Sequence, residues 1–525
     1  MFRSSVLFRQ FILIQEENMK RQLFYCSAFV IFAMLIVVPL VEAKKDTLIV
    51  AFDRRMMTLD NNETTDRSAL VLYHNWGDTL VYRDPEKREW APCLAESYRF
   101  LDPLTIEMTL RKGVTFHNGE PFNAEAVRYS MELLKDPKSL NYRNFLNFKE
   151  VVVVDDYTIR IISKRPNPTA LEFIGNMFSI YPPEYHKKVG RDGFGKSPVG
   201  TGPYQFVSWR QDTEIVFKAY PDYFGGPKGK ATIPNLLVRI IPEEVTRIAE
   251  LITGGVDVIR AGLVSPEQIP LLEKKPNVKI ASTEILRSWY ITMDSRGRSG
   301  VEFFKDKRVR QAFNHAIDKN EIIETVLDGY ALSTDSATTS LHFGYEPNVT
   351  VYPYDPAKAR ELLAEAGYPS GFSVDYYAYR DKSVAEAISG YLAAVGVKTN
   401  LRWLGGQWDV MDKNLAAGSV PLAFLSWGSY SVFDASSIMN RFFMRADPQS
   451  YGTTPEVDAA LLRAMEIVDP QERKALYSQA QKVIADEAFW IPLYSARVIS
   501  AMDSKVNFKP SYDEIDRYFT ASFGE

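Results

Sequence analysis

Short apolar runs and longer amphipathic stretches alternate along almost the whole chain. The run TLIVAF (47–52) is β-branched and apolar and predicts a strand. A polar loop, DRRMMTLDNNETTDRS, separates it from ALVLYHNWGDTLV, which reads as helix. The stretch SYRFLDPLTIEMTLRKGVTFHNGEPF alternates apolar and polar positions around turn residues and predicts a hairpin. NAEAVRYSMELLKDP predicts a helix capped by Asn123 and ended before Pro137. VVVVDDYTIRIISKRP predicts a second hairpin turning at Asp155-Asp156. Further on, TGPYQFVSW and TEIVFKAYPDYF read as strands, and EEVTRIAELITGGVDVIRAG as a helix ending at Gly254-Gly255 before a short strand. DKRVRQAFNHAIDKNEIIETVLDGY and DPAKARELLAEAGYPSGF read as helical, the second ending at Gly367. A strand–helix–strand unit (SVDYYAYR, SVAEAISGYLAAVG, VKTNLRWL), the strand VPLAFLSWGS, the helix QERKALYSQAQKVIADEA and the strand FWIPLYSA complete the pattern. Strands alternating with helices predict an α/β architecture.

Length adds that one core is not enough. With 525 residues, against an upper size of about 250–300 residues for a single core, two or more lobes are expected. A net charge of −4 carries no basic surplus, which makes nucleic acid and anionic membrane poor partners. Aromatic residues are 13% of the chain, with 28 Tyr and 31 Phe, enough both for a β-rich core and for an aromatic-lined cleft.

The N-terminal region changes the expected location. Met19-Lys20-Arg21, the apolar run QLFYCSAFVIFAMLIVVPL and Val41-Glu42-Ala43 form the basic, apolar and small-residue parts of a secretory signal peptide. Residues 1–43 are read as that segment, with Met19 as the true start and cleavage after Ala43, which places the mature protein in the periplasm. The alternatives are an uncleaved membrane anchor and a lipoprotein, the latter disfavoured because LFYC lacks a small residue before Cys26. Loss of Cys26 leaves Cys93 alone, so no disulfide forms within the mature chain, and Cys93 reads as a buried structural thiol.

Candidate catalytic and metal chemistry is sparse. The five histidines have no ligand-type spacing, so no metal is expected. His74, Asn75 and Trp76 lie in a segment that is a candidate cleft lining, although a structural role is the simpler account of His74. GTGP (200–203) lacks a following Gly-Lys-Ser/Thr and is a turn rather than a phosphate loop. No nucleophile motif appears, and the Glu243-Glu244 pair sits at a helix start, where it favours the dipole. The chain is read as no enzyme, and no cofactor is expected.

Several segments, in order, resemble one family. LAESYRFLDPLTIEMTLRKGVTFHNGEPFNAEAVRYSMELL, VGTGPYQFVSWRQDTEIVFKAYPDYFGG, ELITGGVDVI, KDKRVRQAFNHAIDKNEII, YPYDPAKARELLAEAGYPSGF and IADEAFWIPLY are similar to segments of the family 5 extracellular solute-binding proteins of dipeptide, oligopeptide and nickel ABC importers. The resemblance covers nearly all of residues 46–500. It implies an α/β, type II periplasmic binding protein-like clamshell of two lobes with an extra domain in the first, three domains in all. The implied divisions are 44–85, 200–284 and 489–525 for the first lobe, 86–199 for the extra domain and 285–488 for the second lobe. The implied function is capture of a peptide or peptide-like solute by a monomer, and its delivery to permease and ATPase subunits at the inner membrane. A receptor for an opine, a glycoside or a chelated metal, and a sensory or chaperone-like ligand-presenting protein, are the alternatives.

The resemblance also implies site residues. In peptide-binding relatives an Asp shortly after the strand's Trp pairs with the ligand's amine; Tyr430 stands at that position here, and Asp434 is the nearest carboxylate. Asp434 has two readings, a displaced amine anchor or the cap of the helix that follows. Trp427, Ser429 and Tyr430 are expected in the cavity wall. Arg380 matches an arginine that grips the ligand's carboxylate, against the alternative of a solvated strand end. An acid end on the ligand is thus retained and a free amine is in doubt.

Overall fold

The structure is a computed structural model that describes residues 45–524 apart from 65, 86 and 429–431. The signal peptide, its cleavage site and the Ser429 and Tyr430 expectations lie outside the described residues.

The strand read from TLIVAF is Thr47–Phe52, with Leu48, Val50, Ala51 and Phe52 fully buried. Both hairpins form. Ala95–Asp102 pairs with Thr105–Leu110, and Phe148–Asp155 with Thr158–Ser163. Together these four strands make one antiparallel sheet. Over it packs the helix Ala124–Leu134, where Asn123 Oδ1 accepts from the Ala126 N–H at 3.1 Å. Met108, Ile159, Phe122 and Val127 fill the core beneath this sheet.

The main sheet has eleven strands. Across it run Lys398–Trp403, Ser373–Ala378, Leu422–Gly428, Val278–Met293, Trp490–Asp503, Val258–Ile259, Thr47–Phe52, Asn235–Ile240, Glu214–Ala219 and Tyr204–Arg210, with Ala331–Ser333 beside Trp490–Asp503. The two long central strands carry the sheet from one half to the other. Their antiparallel ladder breaks between Glu284 and Ser288, where the register shifts. Each half has its own cores. Leu48, Val238 and Val258 belong to the first, and Ile291, Phe424 and Leu493 to the second. The result is a two-lobed α/β fold: the strand–helix alternation predicted the α/β class, and the length and the family resemblance the two lobes.

One helix differs from the sequence reading. ALVLYHNWGDTLV is not helical throughout: the helix is Arg67–Trp76, capped by Asp66, and Val81–Arg83 is a strand. The helix ends at Gly77, whose backbone is extended, and Gly202 packs against this end, where a Cβ would fall 2.5 Å from the Trp76 carbonyl carbon and 2.6 Å from the Gly77 nitrogen. No described helix is long and apolar enough to cross a membrane.

Candidate functional site

A cleft of about 890 Å³ opens between the two halves of the main sheet. One wall comes from the start of the helix Arg67–Trp76 and from the turn 260–266 after the strand Val258–Ile259. The opposite wall comes from the ends of Ser373–Ala378 and Leu422–Gly428, and the floor from the broken stretch of the central ladder.

The far wall is aromatic. Tyr379 and Trp408 lie 5.2 Å apart between ring centroids, and Trp408 and Trp427 6.0 Å apart. Trp427 is held by its indole N–H, which donates to the Ser437 carbonyl at 2.9 Å, and by the Arg441 guanidinium 4.6 Å over its ring. The Tyr379 hydroxyl lies 3.0 Å from Ser426 Oγ. Such rings offer large, stiff apolar area to a ligand at little entropic cost.

Charge is unevenly distributed. Among the described lining residues, the first wall contributes Arg54, Arg67, Arg247 and Arg260, the central strands Arg287 and Arg497, and the far wall Arg380. The lining carboxylates are Asp66, Glu244, Asp381 and Glu514. Seven arginines against four carboxylates leave an excess of three positive charges. Glu514 lies 3.7 Å from Arg67 Nη2 and 3.5 Å from Arg287 Nη2. Burial pushes the Glu514 carboxyl up, but Arg287, Arg67 and Arg260 outweigh it and hold its pKa below the ordinary value. Arg287 reaches this position because it pairs across the ladder with Gly428, where a Cβ would fall 2.8 Å from its Nη2. A cleft of this kind concentrates anions and accepts carboxylates in fork geometry.

Of the residues singled out in the sequence, Arg380 and Trp427 line this cleft. Arg380 is exposed at the end of its strand, with its guanidinium 5.8 Å from the Tyr379 ring. Trp76 lies elsewhere. It is 1% exposed, packed edge-on against Tyr73 and Phe194 in the core of the first half, because its helix points away from the cleft after Ser68. Asp434 is also withdrawn from the cleft. It pairs with Arg473 at 2.7 Å, accepts from the Tyr477 hydroxyl at 2.8 Å, and accepts from the Ser436 N–H at 3.0 Å. Both of its carboxylate oxygens are engaged inside the second half, one of them by the first N–H of the helix Ser436–Phe443. His74 is buried, and burial pushes its imidazole down to about 3, so it is a neutral structural side chain against the Asn176 carbonyl.

Sequence reasoning missed Arg67, Arg260, Arg287, Tyr379 and Trp408. Apart from Tyr379, which directly precedes Arg380, nothing local marks them. They come together only through the strand order and the break in the central ladder.

Residues 89–449 match the family model described as bacterial extracellular solute-binding proteins, family 5 middle. The chain is 30% identical over 476 residues to the glutathione-binding protein GsiB of Salmonella choleraesuis, covering 87% of this chain and 90% of that one. It is 31% identical over 477 residues to heme-binding protein A of Haemophilus influenzae, covering 82% of each. The solved structure of HbpA2 from Haemophilus parasuis superposes with a TM-score of 0.81 at 26% identity, covering 91% of this chain and all of that one. With a matching family model over most of its length, the same two-lobed fold and a cleft between the lobes, the chain belongs to family 5 of the bacterial extracellular solute-binding proteins, the substrate-binding components of ABC-type importers.

Proposed function

We propose that this protein captures a small peptide-like solute bearing an acid group in the cleft between its lobes, and presents the closed complex to an ABC permease and its ATPase. The observation that carries the reading is the cleft itself, aromatic on one wall and with three more arginines than carboxylates. Arg380 takes the acid group, and Tyr379, Trp408 and Trp427 cover the apolar body of the ligand. A ligand that touches both walls stabilises the closed form more than the open one, which is all that closure requires. The relatives fit this chemistry: one is a glutathione-binding protein and another a heme-binding protein, and both glutathione and heme carry carboxylates.

The same reading places the mature chain in the periplasm, cleaved after Ala43 and acting as a monomer without catalysis. Its first lobe is built from 44–85, 200–284 and 489–525, its extra domain from 86–199 and its second lobe from 285–488.

Thermal unfolding against a panel of dipeptides, tripeptides, glutathione, opines, glycosides and hemin tests the reading, because a ligand of the native state raises the melting temperature by mass action. Acid-bearing peptides are expected to raise it and neutral glycosides to leave it unchanged. A shift with glycosides and none with any acid-bearing compound would reject the reading.

A further inference from the structure

Arg260 lies on the first wall of the cleft, 8% exposed. Its guanidinium has one hydrogen-bonding approach among the described residues, 3.5 Å from Nη1 to Ser68 Oγ, and its Nε has none. A buried guanidinium in this state is costly unless an anion faces it. Two carboxylates are near. Glu514 is stretched between Arg67 and Arg287 at 3.7 and 3.5 Å, both too long for good hydrogen bonds. Asp516 is engaged by the Tyr518 hydroxyl at 3.2 Å and approached by the Ala261 N–H at 3.4 Å. Around Glu514, three arginines thus share one carboxylate at the cleft wall, and the one with the fewest contacts is the most buried of the three.

We propose that Arg67, Arg260 and Arg287 form a second anion subsite, distinct from Arg380, so that the ligand is a peptide-like dicarboxylate with one carboxylate on each wall. The proposal rests on the cleft being the ligand site and specifies what that site selects. A monocarboxylate leaves the three arginines sharing Glu514 alone, in positive excess, whereas a dicarboxylate reduces that excess and ties the two lobes together. Selectivity then comes from the charge that a wrong ligand leaves unpaired.

Isothermal titration calorimetry on protein produced from the full chain tests this with three probes. Glutathione carries two carboxylates; its glycine monoethyl ester and Ala-Ala-Ala each carry one. Glutathione is expected to bind about tenfold or more tightly than either monocarboxylate, the scale of one charge-assisted hydrogen-bond set. Arg260→Gln is expected to abolish that preference, bringing glutathione to within about twofold of the monocarboxylates. Arg67→Gln, at a less buried position, provides the same comparison if the first variant does not fold. Equal affinities for the three probes, or a preference for glutathione that survives both variants, would overturn the second subsite and leave the receptor reading intact. Failure of all three to bind would overturn both.

Discussion

The backbone N–H of Phe433 donates to Glu172 Oε2 at 2.9 Å, joining residues 261 positions apart. Glu172 lies on the helix Ala170–Asn176, which packs with the four-stranded sheet, whereas Phe433 follows the strand Leu422–Gly428 of the far half. Arg83 completes the contact, with Nη1 2.7 Å from Glu172 Oε1 and its guanidinium 3.8 Å over the Phe433 ring. Phe433 also meets Tyr512 of the C-terminal segment, with ring centroids 4.9 Å apart. The contact therefore joins the two sides of the cleft, outside its cavity.

Glu172→Ala is expected to weaken this clasp by about 3–5 kcal/mol, the cost of breaking a buried ion pair. Thermal unfolding and hydrogen exchange at the Phe433 amide read the effect. Glu172→Gln keeps an acceptor and is expected to lose less. An unchanged Phe433 exchange rate in Glu172→Ala would show that the clasp contributes nothing.

Lys228 and Asp78 form an ion pair at 2.9 Å with both side chains wholly buried. Lys228 also donates to the His74 and Gly77 carbonyls, at 2.8 and 2.7 Å, and Asp78 accepts from the Thr201 hydroxyl at 3.0 Å. Lys228→Met strands the carboxylate, and a loss of about 3–5 kcal/mol in denaturant unfolding is expected. Adding Asp78→Asn should recover part of the loss, because the buried charge goes with it.

Asp60 gives the stability a pH signature. It is 1% exposed, accepts from the Tyr181 hydroxyl at 2.5 Å and from the Asn62 N–H at 3.0 Å, and its Oδ2 has no partner among the described residues. Burial, outweighing these hydrogen bonds, pushes its carboxyl up to about 6 from 3.8. The folded state therefore holds this proton more tightly than the unfolded state. The stability it contributes is present below pH 3.8 and is lost as pH rises through 6. Asp60→Asn should flatten the stability profile between those values by an amount on the order of 3 kcal/mol. Parallel profiles for the two proteins over pH 4–7 would contradict this assignment.

Arg380→Gln is expected to weaken binding of an acid-bearing ligand by roughly ten- to a hundredfold, the range of a charged hydrogen bond. Calorimetry with a peptide and with its C-terminal amide separates charge from bulk. The variant should bind the two alike, and the parent should prefer the free acid. A variant that retains the preference would remove Arg380 from the site.

Much of the local structure was legible because short-range rules decide it. Asn123 caps its helix, the second hairpin turns at Asp156-Tyr157, one residue past the expected Asp155-Asp156, and Gly254 ends its helix in the left-handed conformation. The strand Val278–Met293 was not legible. Glu284, Arg287 and Ser288 interrupt its apolar alternation, because there the strand leaves one core for another and its ladder breaks. The same crossing brings Arg287 beside Glu514 and so hides the cleft from any local reading. Arg380 and Trp427 stood out because they sit at strand ends with a family pattern around them, and both line the cleft. Asp434 was drawn inward by Arg473 and Tyr477, which lie 39 and 43 residues away in sequence.

The paired long strands have a consequence for inheritance. The chain enters the far half through Val278–Met293 and returns through Trp490–Asp503, with Thr292 directly opposite Trp490. Everything between is one uninterrupted stretch whose two ends are neighbours on a backbone ladder largely indifferent to side-chain identity. A single recombination cassette can therefore replace the aromatic wall and Arg380 without disturbing Arg67 and Arg260, which lie outside it. A lineage can exchange one wall of the cleft while inheriting the other intact.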